Sequence, residues 1–74
     1  MLRFRAVNDY KGVHYGEVWD LERWEEVPRV GRYTVWTEDI FTLVREIDDM
    51  RKQIALTGEE LGQHFDWLKM EGGT

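Results

Sequence analysis

The feature that most limits how this chain can fold is a large supply of aromatic side chains in a short sequence without cysteine. Its 74 residues include four tryptophans, three tyrosines and three phenylalanines, but no cysteine. A chain of this size is near the lower limit at which one core holds a fold without disulfides or metals. Each aromatic side chain can bury roughly 150–250 Å². We therefore predict a single domain, residues 1–74, packed around aromatic residues.

Alternation of apolar and polar residues predicts a three-stranded antiparallel β-meander over residues 1–36. The predicted strands cover residues 2–7, 13–21 and 27–36, and residues 22–25 form the turn between the second and the third. Pro28 has no backbone N–H and suits an edge strand or a strand start, and Gly31 suggests a bulge.

The next segment has the pattern of an amphipathic helix, which we call predicted helix 1, residues 37–55. Thr37 is a good N-cap, followed by the acidic Glu38 and Asp39, and Trp36 can form a hydrophobic staple with Phe41. Apolar residues then recur at helical spacing. They are Ile40, Leu43, Val44, Ile47, Met50 and Ile54.

A second helix, predicted helix 2, is expected over residues 57–71, with residues 72–74 as a tail. Thr57 and Glu60 have the spacing of a capping box, and Leu56 and Leu61 that of a staple. The predicted fold class is therefore α+β, a small single domain of order β-β-β-α-α. One face of helix 2 would pack under the sheet or contact another chain. It carries Leu61, His64, Phe65 and Leu68, with Trp67 beside it.

The residues needed for common kinds of catalysis are missing. The sequence has neither serine nor cysteine, and its two histidines, His14 and His64, fall in different predicted elements. Glu60 and His64 are four residues apart on helix 2, but two ligands are too few for a metal site, and the capping box already explains Glu60. We predict no enzyme activity, no metal and no cofactor.

The charge of the chain favours a protein partner with a basic surface. The formal net charge is −5, and the acidic residues are concentrated in residues 17–26, 37–50 and 59–74. Binding to nucleic-acid backbones usually needs several phosphate-facing Lys or Arg residues, so this charge disfavours nucleic acid as a partner. No apolar run reaches the length of about 18 residues that a membrane span requires, and without cysteine a cytoplasmic location is expected.

Trp24 is the strongest candidate contact residue. The other tryptophans have structural explanations, whereas Trp24 lies between Arg23 and Glu25 in a predicted turn, where an indole adds little to a core. Exposed aromatic residues surrounded by charge are enriched at binding hot spots. The predicted partner-binding site is therefore Glu22, Arg23, Trp24, Glu25 and Glu26. The alternative is that Trp24 folds back over the sheet edge.

These features predict a non-enzymatic protein-binding module. In size, acidity and lack of enzyme motifs, the chain resembles the small inhibitor proteins that phages make against host machinery, including anti-CRISPR and anti-restriction proteins. That resemblance implies occlusion of a basic site on a host defence or nucleic-acid-handling protein. The alternative is a structural or regulatory subunit that dimerises through helix 2, with His64 and Trp67 in the interface. A third hypothesis is weak single-stranded nucleic-acid binding through Arg3, Arg5, Arg29 and Arg32.

Overall fold

The computed structural model describes residues 2–68, which form one five-stranded antiparallel sheet and one short helix. The strands lie in the order β4-β3-β2-β1-β5, so the first four form a meander and the last returns to pair with β1. The elements are β1 Arg3–Ala6, β2 Val18–Val30, β3 Val35–Ile47, β4 Met50–Thr57, α1 Gly58–His64 and β5 Phe65–Leu68.

The predicted β-β-β-α-α order is wrong, because predicted helix 1 is a hairpin of β3 and β4. The apolar residues of β3 lie on both faces of the sheet: Leu43 is fully buried on one face, while Ile40 and Val44 are half-buried on the other. A strand that is apolar on both faces also places apolar residues three and four apart, which imitates a helical stripe. Thr37 therefore lies within a strand and caps no helix.

The turns also differ from those predicted. Residues 22–25 lie within β2, which has a bulge between Leu21 and Arg23. The hairpin turn instead begins at Gly31, whose N–H donates to the carbonyl oxygen of Thr34 at 2.8 Å. Predicted strand 27–36 therefore contains the turn between β2 and β3.

The capping box of predicted helix 2 is confirmed, but the length of that helix is wrong. The Thr57 hydroxyl accepts from the Glu60 N–H at 3.1 Å, and the Glu60 carboxylate accepts from the Thr57 N–H at 3.0 Å. The helix ends at His64 because the next residue, Phe65, begins a strand that pairs with β1 and buries its ring. The predicted helix end and tail, residues 69–74, lie outside the described residues. Among residues 2–68, no helix is long and apolar enough to cross a membrane.

The core lies on the sheet face that carries Leu43 and Leu56, which we call the inner face. Helix α1 contacts β3, β4 and β5, and its Leu61 packs against this core. Aromatic residues contribute Phe4, Trp19 and Phe65, as the composition predicted. The buried core consists of Phe4, Ala6, Val13, Trp19, Leu43, Leu56 and Phe65.

Candidate functional site

The β2–β3 hairpin extends well beyond the rest of the sheet. On one side β1 pairs only with Val18–Asp20 of β2, and on the other β4 reaches only to Ile40 of β3. In the described chain, residues 24–39, which we call the arm, pair with no strand outside the hairpin. Trp24 and Glu25 lie opposite Phe41 and Ile40, the last residues of β3 that pair with β4. The radius of gyration is 14.1 Å, compared with about 11 Å for a compact chain of this length.

The arm carries a concentration of exposed apolar side chains. An exposed aromatic and aliphatic surface on a soluble protein is typical of an interaction site. Because no other described strand pairs with either edge of the arm, these side chains gain little from folding alone. They are Trp24, Val30, Tyr33, Val35 and Trp36.

The bulge in β2 places Trp24 on the inner face. Leu21 lies opposite Leu43, and Trp24 lies opposite Phe41, so the extra residue, Glu22, brings Leu21 and Trp24 onto the same face. The Trp24 ring stacks on Phe41 with a centroid distance of 5.6 Å and an angle of 14°. Trp24 nevertheless remains 60% exposed. The indole is thus held in a fixed orientation with most of its surface in solvent.

Next to Trp24, two acidic residues lie directly opposite each other. Glu26 pairs with Asp39 across the arm, on the same inner face as the Trp24–Phe41 stack. Like charges in this position repel each other and destabilise a sheet. Within residues 2–68, neither carboxylate forms a salt bridge. A cationic side chain from a partner would relieve this repulsion and could also contact the indole face.

Of the five residues predicted as the partner-binding site, only Trp24 and Glu26 lie on the inner face. The other three lie on the opposite, outer face, where they have partners within the chain. Glu22 accepts hydrogen bonds from Arg51 and, at 2.7 Å, from Gln53. Arg23 forms a salt bridge with Glu25 at 3.0 Å. The candidate site on the inner face therefore combines Trp24 and Glu26 with Asp39, which is not among the five predicted residues.

The predicted second interface does not form a single helix face. His64 ends α1 and stacks on Tyr10 with a centroid distance of 3.7 Å, and its Nδ1 lies 2.7 Å from Oδ1 of Asn8. Trp67 lies in β5, opposite Phe4, and is exposed. The helix surface on which a homodimer was predicted is thus divided between a helix and a strand.

Glu60 serves to hold the loop before β2 against α1. Its carboxylate accepts from the Tyr10 hydroxyl and the Thr57 N–H, and it forms a salt bridge with Lys11 at 3.0 Å. These three groups, in that order of importance, lower the pKa of Glu60 to about 2. Among residues 2–68, no three histidine or acidic side chains group as metal ligands.

The four arginines considered for nucleic-acid binding are not gathered into one patch. Arg3 lies on β1 and forms a salt bridge with Asp20 at 3.0 Å, and Arg5 follows on the same strand. Arg29 lies near the other end of β2 and pairs with Glu38 of the arm at 3.3 Å. Arg32 lies in the hairpin turn.

Replacing either acid of the Glu26–Asp39 pair by its amide should stabilise the fold. Asp39→Asn and Glu26→Gln are each expected to raise the free energy of unfolding by about 0.2–1 kcal/mol, because each removes the same cross-strand repulsion. The double variant should gain no more than the better single one. Urea melts at low and high salt measure this, and the gain should shrink as salt increases. Fully additive gains would mean that the two carboxylates do not repel each other.

The inner face of the arm gathers several groups that are suited to contact with another molecule. It combines an oriented, exposed indole, two carboxylates that form no salt bridge within residues 2–68, and two aliphatic side chains, Val30 and Val35, near the turn. No protein-family model, curated protein or solved structure matches this chain.

Proposed function

We propose that this protein is a non-enzymatic binding module that uses its arm to occupy a basic site on a larger protein. The observation that carries this proposal is Trp24, which is stacked on Phe41, 60% exposed and adjacent to the Glu26–Asp39 pair. An indole held in one orientation loses little conformational freedom on binding, which suits it to a hot spot. The two carboxylates provide the complementary charge.

The charges and the indole have different roles in this mechanism. The net charge of −5 and the carboxylates of the arm attract a basic surface and speed association. Insertion of Trp24 into a pocket then slows dissociation. A basic site filled in this way is closed to its usual ligand, such as nucleic acid. The protein would thus act in the cytoplasm as an inhibitor by occlusion, in the manner of the small phage proteins that it resembles.

Affinity capture from a lysate of the source cells, with two charge-reversal variants, tests the location of the site. Glu26→Arg changes the arm, whereas Glu46→Arg makes the same charge change at an exposed position on the outer face of β3. The partner recovered with the unmodified protein should be retained by Glu46→Arg and reduced at least about tenfold by Glu26→Arg. Thermal melts confirm that both variants are folded. Equal recovery with Glu26→Arg and the unmodified protein would rule out the arm as the binding site.

A further inference from the structure

The hydrogen-bond pattern of β3 leaves one edge of the arm open. Gly31 forms a hydrogen bond with Thr34 across the turn. Since hydrogen-bonded positions alternate along an antiparallel pair, the even-numbered residues of β3 are the ones that bond to β2. At the C-terminal end of β3, the two-residue turn Asp48–Asp49 makes Ile47 and Met50 a hydrogen-bonded pair. By the same alternation, the odd-numbered residues of β3 bond to β4.

Beyond the end of β4, the odd-numbered residues of β3 have no strand partner among residues 2–68. Val35, Thr37 and Asp39 point their N–H and C=O groups away from β2, towards the side that β4 does not reach. Such a row of unpaired backbone groups is a template for an added strand. The open edge of β3, Val35–Asp39, is about 16 Å long at 3.3 Å per residue.

The opposite edge of the arm is less suited to strand addition. Pro28 of β2 lies opposite Thr37, at a position whose N–H would point outwards. Because proline has no N–H, it interrupts the row of donors on that edge. The described part of β3 has no proline and no bulge along its open edge.

We propose that the open edge of β3 takes up an extended, basic segment of the partner as an added strand. This inference rests on the function proposed above and specifies how the partner binds. Main-chain hydrogen bonds to Val35, Thr37 and Asp39 would supply affinity, as in other cases of β-strand addition. The added strand would continue the line of β4, which ends at Thr57 opposite Ile40.

Charge complementarity selects a basic segment over a second copy of this chain. A side chain of the added strand opposite Asp39 would lie about 5 Å away, Cβ to Cβ, on the same face as Glu26. A lysine or arginine there relieves the repulsion between the two acids. A second copy carries a net charge of −5 and would be repelled.

Amide hydrogen exchange, followed by NMR on the full chain, tests strand addition directly. The probe is the peptide acetyl-Thr-Lys-Val-Lys-Val-Lys-Thr-amide, and its control has glutamate in place of lysine. The basic peptide should slow exchange at Val35, Thr37 and Asp39, with little change at Trp36 and Glu38, whose N–H groups already bond to β2. The acidic peptide should have no effect. Absence of protection with the basic peptide, or protection elsewhere only, overturns the proposal.

A proline variant tests the need for a backbone donor. Thr37→Pro removes one outward N–H, and Pro28 directly opposite shows that the hairpin accepts proline at this type of position. Thr37→Val changes the side chain but keeps the donor. Binding of the basic peptide should weaken at least about tenfold in Thr37→Pro and by less than about threefold in Thr37→Val.

A modified peptide gives the same information without changing the protein. N-methylation of the backbone amides on the edge that faces β3 should abolish binding to the unmodified chain. Equal binding of the methylated and plain peptides, or of Thr37→Pro and Thr37→Val, overturns strand addition. If strand addition is overturned but Glu26→Arg still loses the captured partner, the proposed function stands without strand addition. Failure of strand addition and failure of the proposed function are therefore distinguishable.

Discussion

Replacing Leu43 by alanine is expected to lower the free energy of unfolding by about 2–5 kcal/mol, the range for removing a large side chain from a packed core. Leu43 is completely buried on the inner face of β3. It lies between Leu21 on one neighbouring strand and Ile54 on the other. A cavity at this position is enclosed by the sheet on both sides, so little relaxation can fill it. Urea denaturation monitored by tryptophan fluorescence measures the loss.

Ile47→Ala is the control for this prediction. Ile47 lies at the end of β3 and is 43% exposed, so its truncation should cost less than about 1 kcal/mol. In a helix over residues 37–55, both residues would lie on the buried stripe and Ile47→Ala would cost about 2–4 kcal/mol. Equal losses at the two positions would contradict the sheet.

Trp24→Ala should weaken partner binding by about 2 kcal/mol or more, the threshold of a hot spot and close to a thirtyfold change in Kd. The effect on folding should be smaller. Truncation loses the stacking on Phe41 and should lower the free energy of unfolding by about 1 kcal/mol. Titration calorimetry with the captured partner and urea melts measure the two effects separately.

Trp67→Ala provides a closely matched control for the loss of an exposed indole. Trp67 is 58% exposed, close to the exposure of Trp24, but lies on β5, away from the arm. Its replacement should leave partner binding within about threefold of the unmodified protein. Loss of binding in Trp67→Ala with no loss in Trp24→Ala would place the contact on β5. Loss of stability without loss of binding in Trp24→Ala would make the indole part of the fold alone.

Local signals in the sequence were sufficient for some elements. The capping box depends on Thr57 and Glu60, three positions apart, and β1 depends on the alternation of apolar and polar residues. The first residue of each element was therefore predicted close to its observed position. β3 was misassigned because both of its faces bear apolar residues, so periodicity alone cannot separate it from a helix. Two signals favoured a strand: the β-branched and aromatic residues from Ile40 to Val44, and the paired aspartates at 48 and 49 in a short turn.

The candidate site could be predicted only in part, because its composition depends on strand register. The predicted turn at Trp24 is wrong, because Trp24 lies within β2, where its indole is nevertheless exposed. The bulge at Glu22 decides which neighbours share its face, and a bulge of this kind has no clear signature in the sequence. Asp39 joins the site through cross-strand pairing with Glu26, which requires the hairpin turn at Gly31 to be recognised first.

The return of β5 to pair with β1 has a consequence for the order of folding. Short hairpin turns connect β2, β3 and β4, so their pairing closes small loops. The β1–β5 pairing instead joins Arg3 to Leu68, and the entropy cost of closing a loop rises with its length. We therefore expect the β2–β4 meander to form early, and β1 and β5 to dock in the slow, rate-limiting step. Until then Phe4 and Phe65 are missing from the core, and the hairpin that bears the arm forms before the core that anchors it.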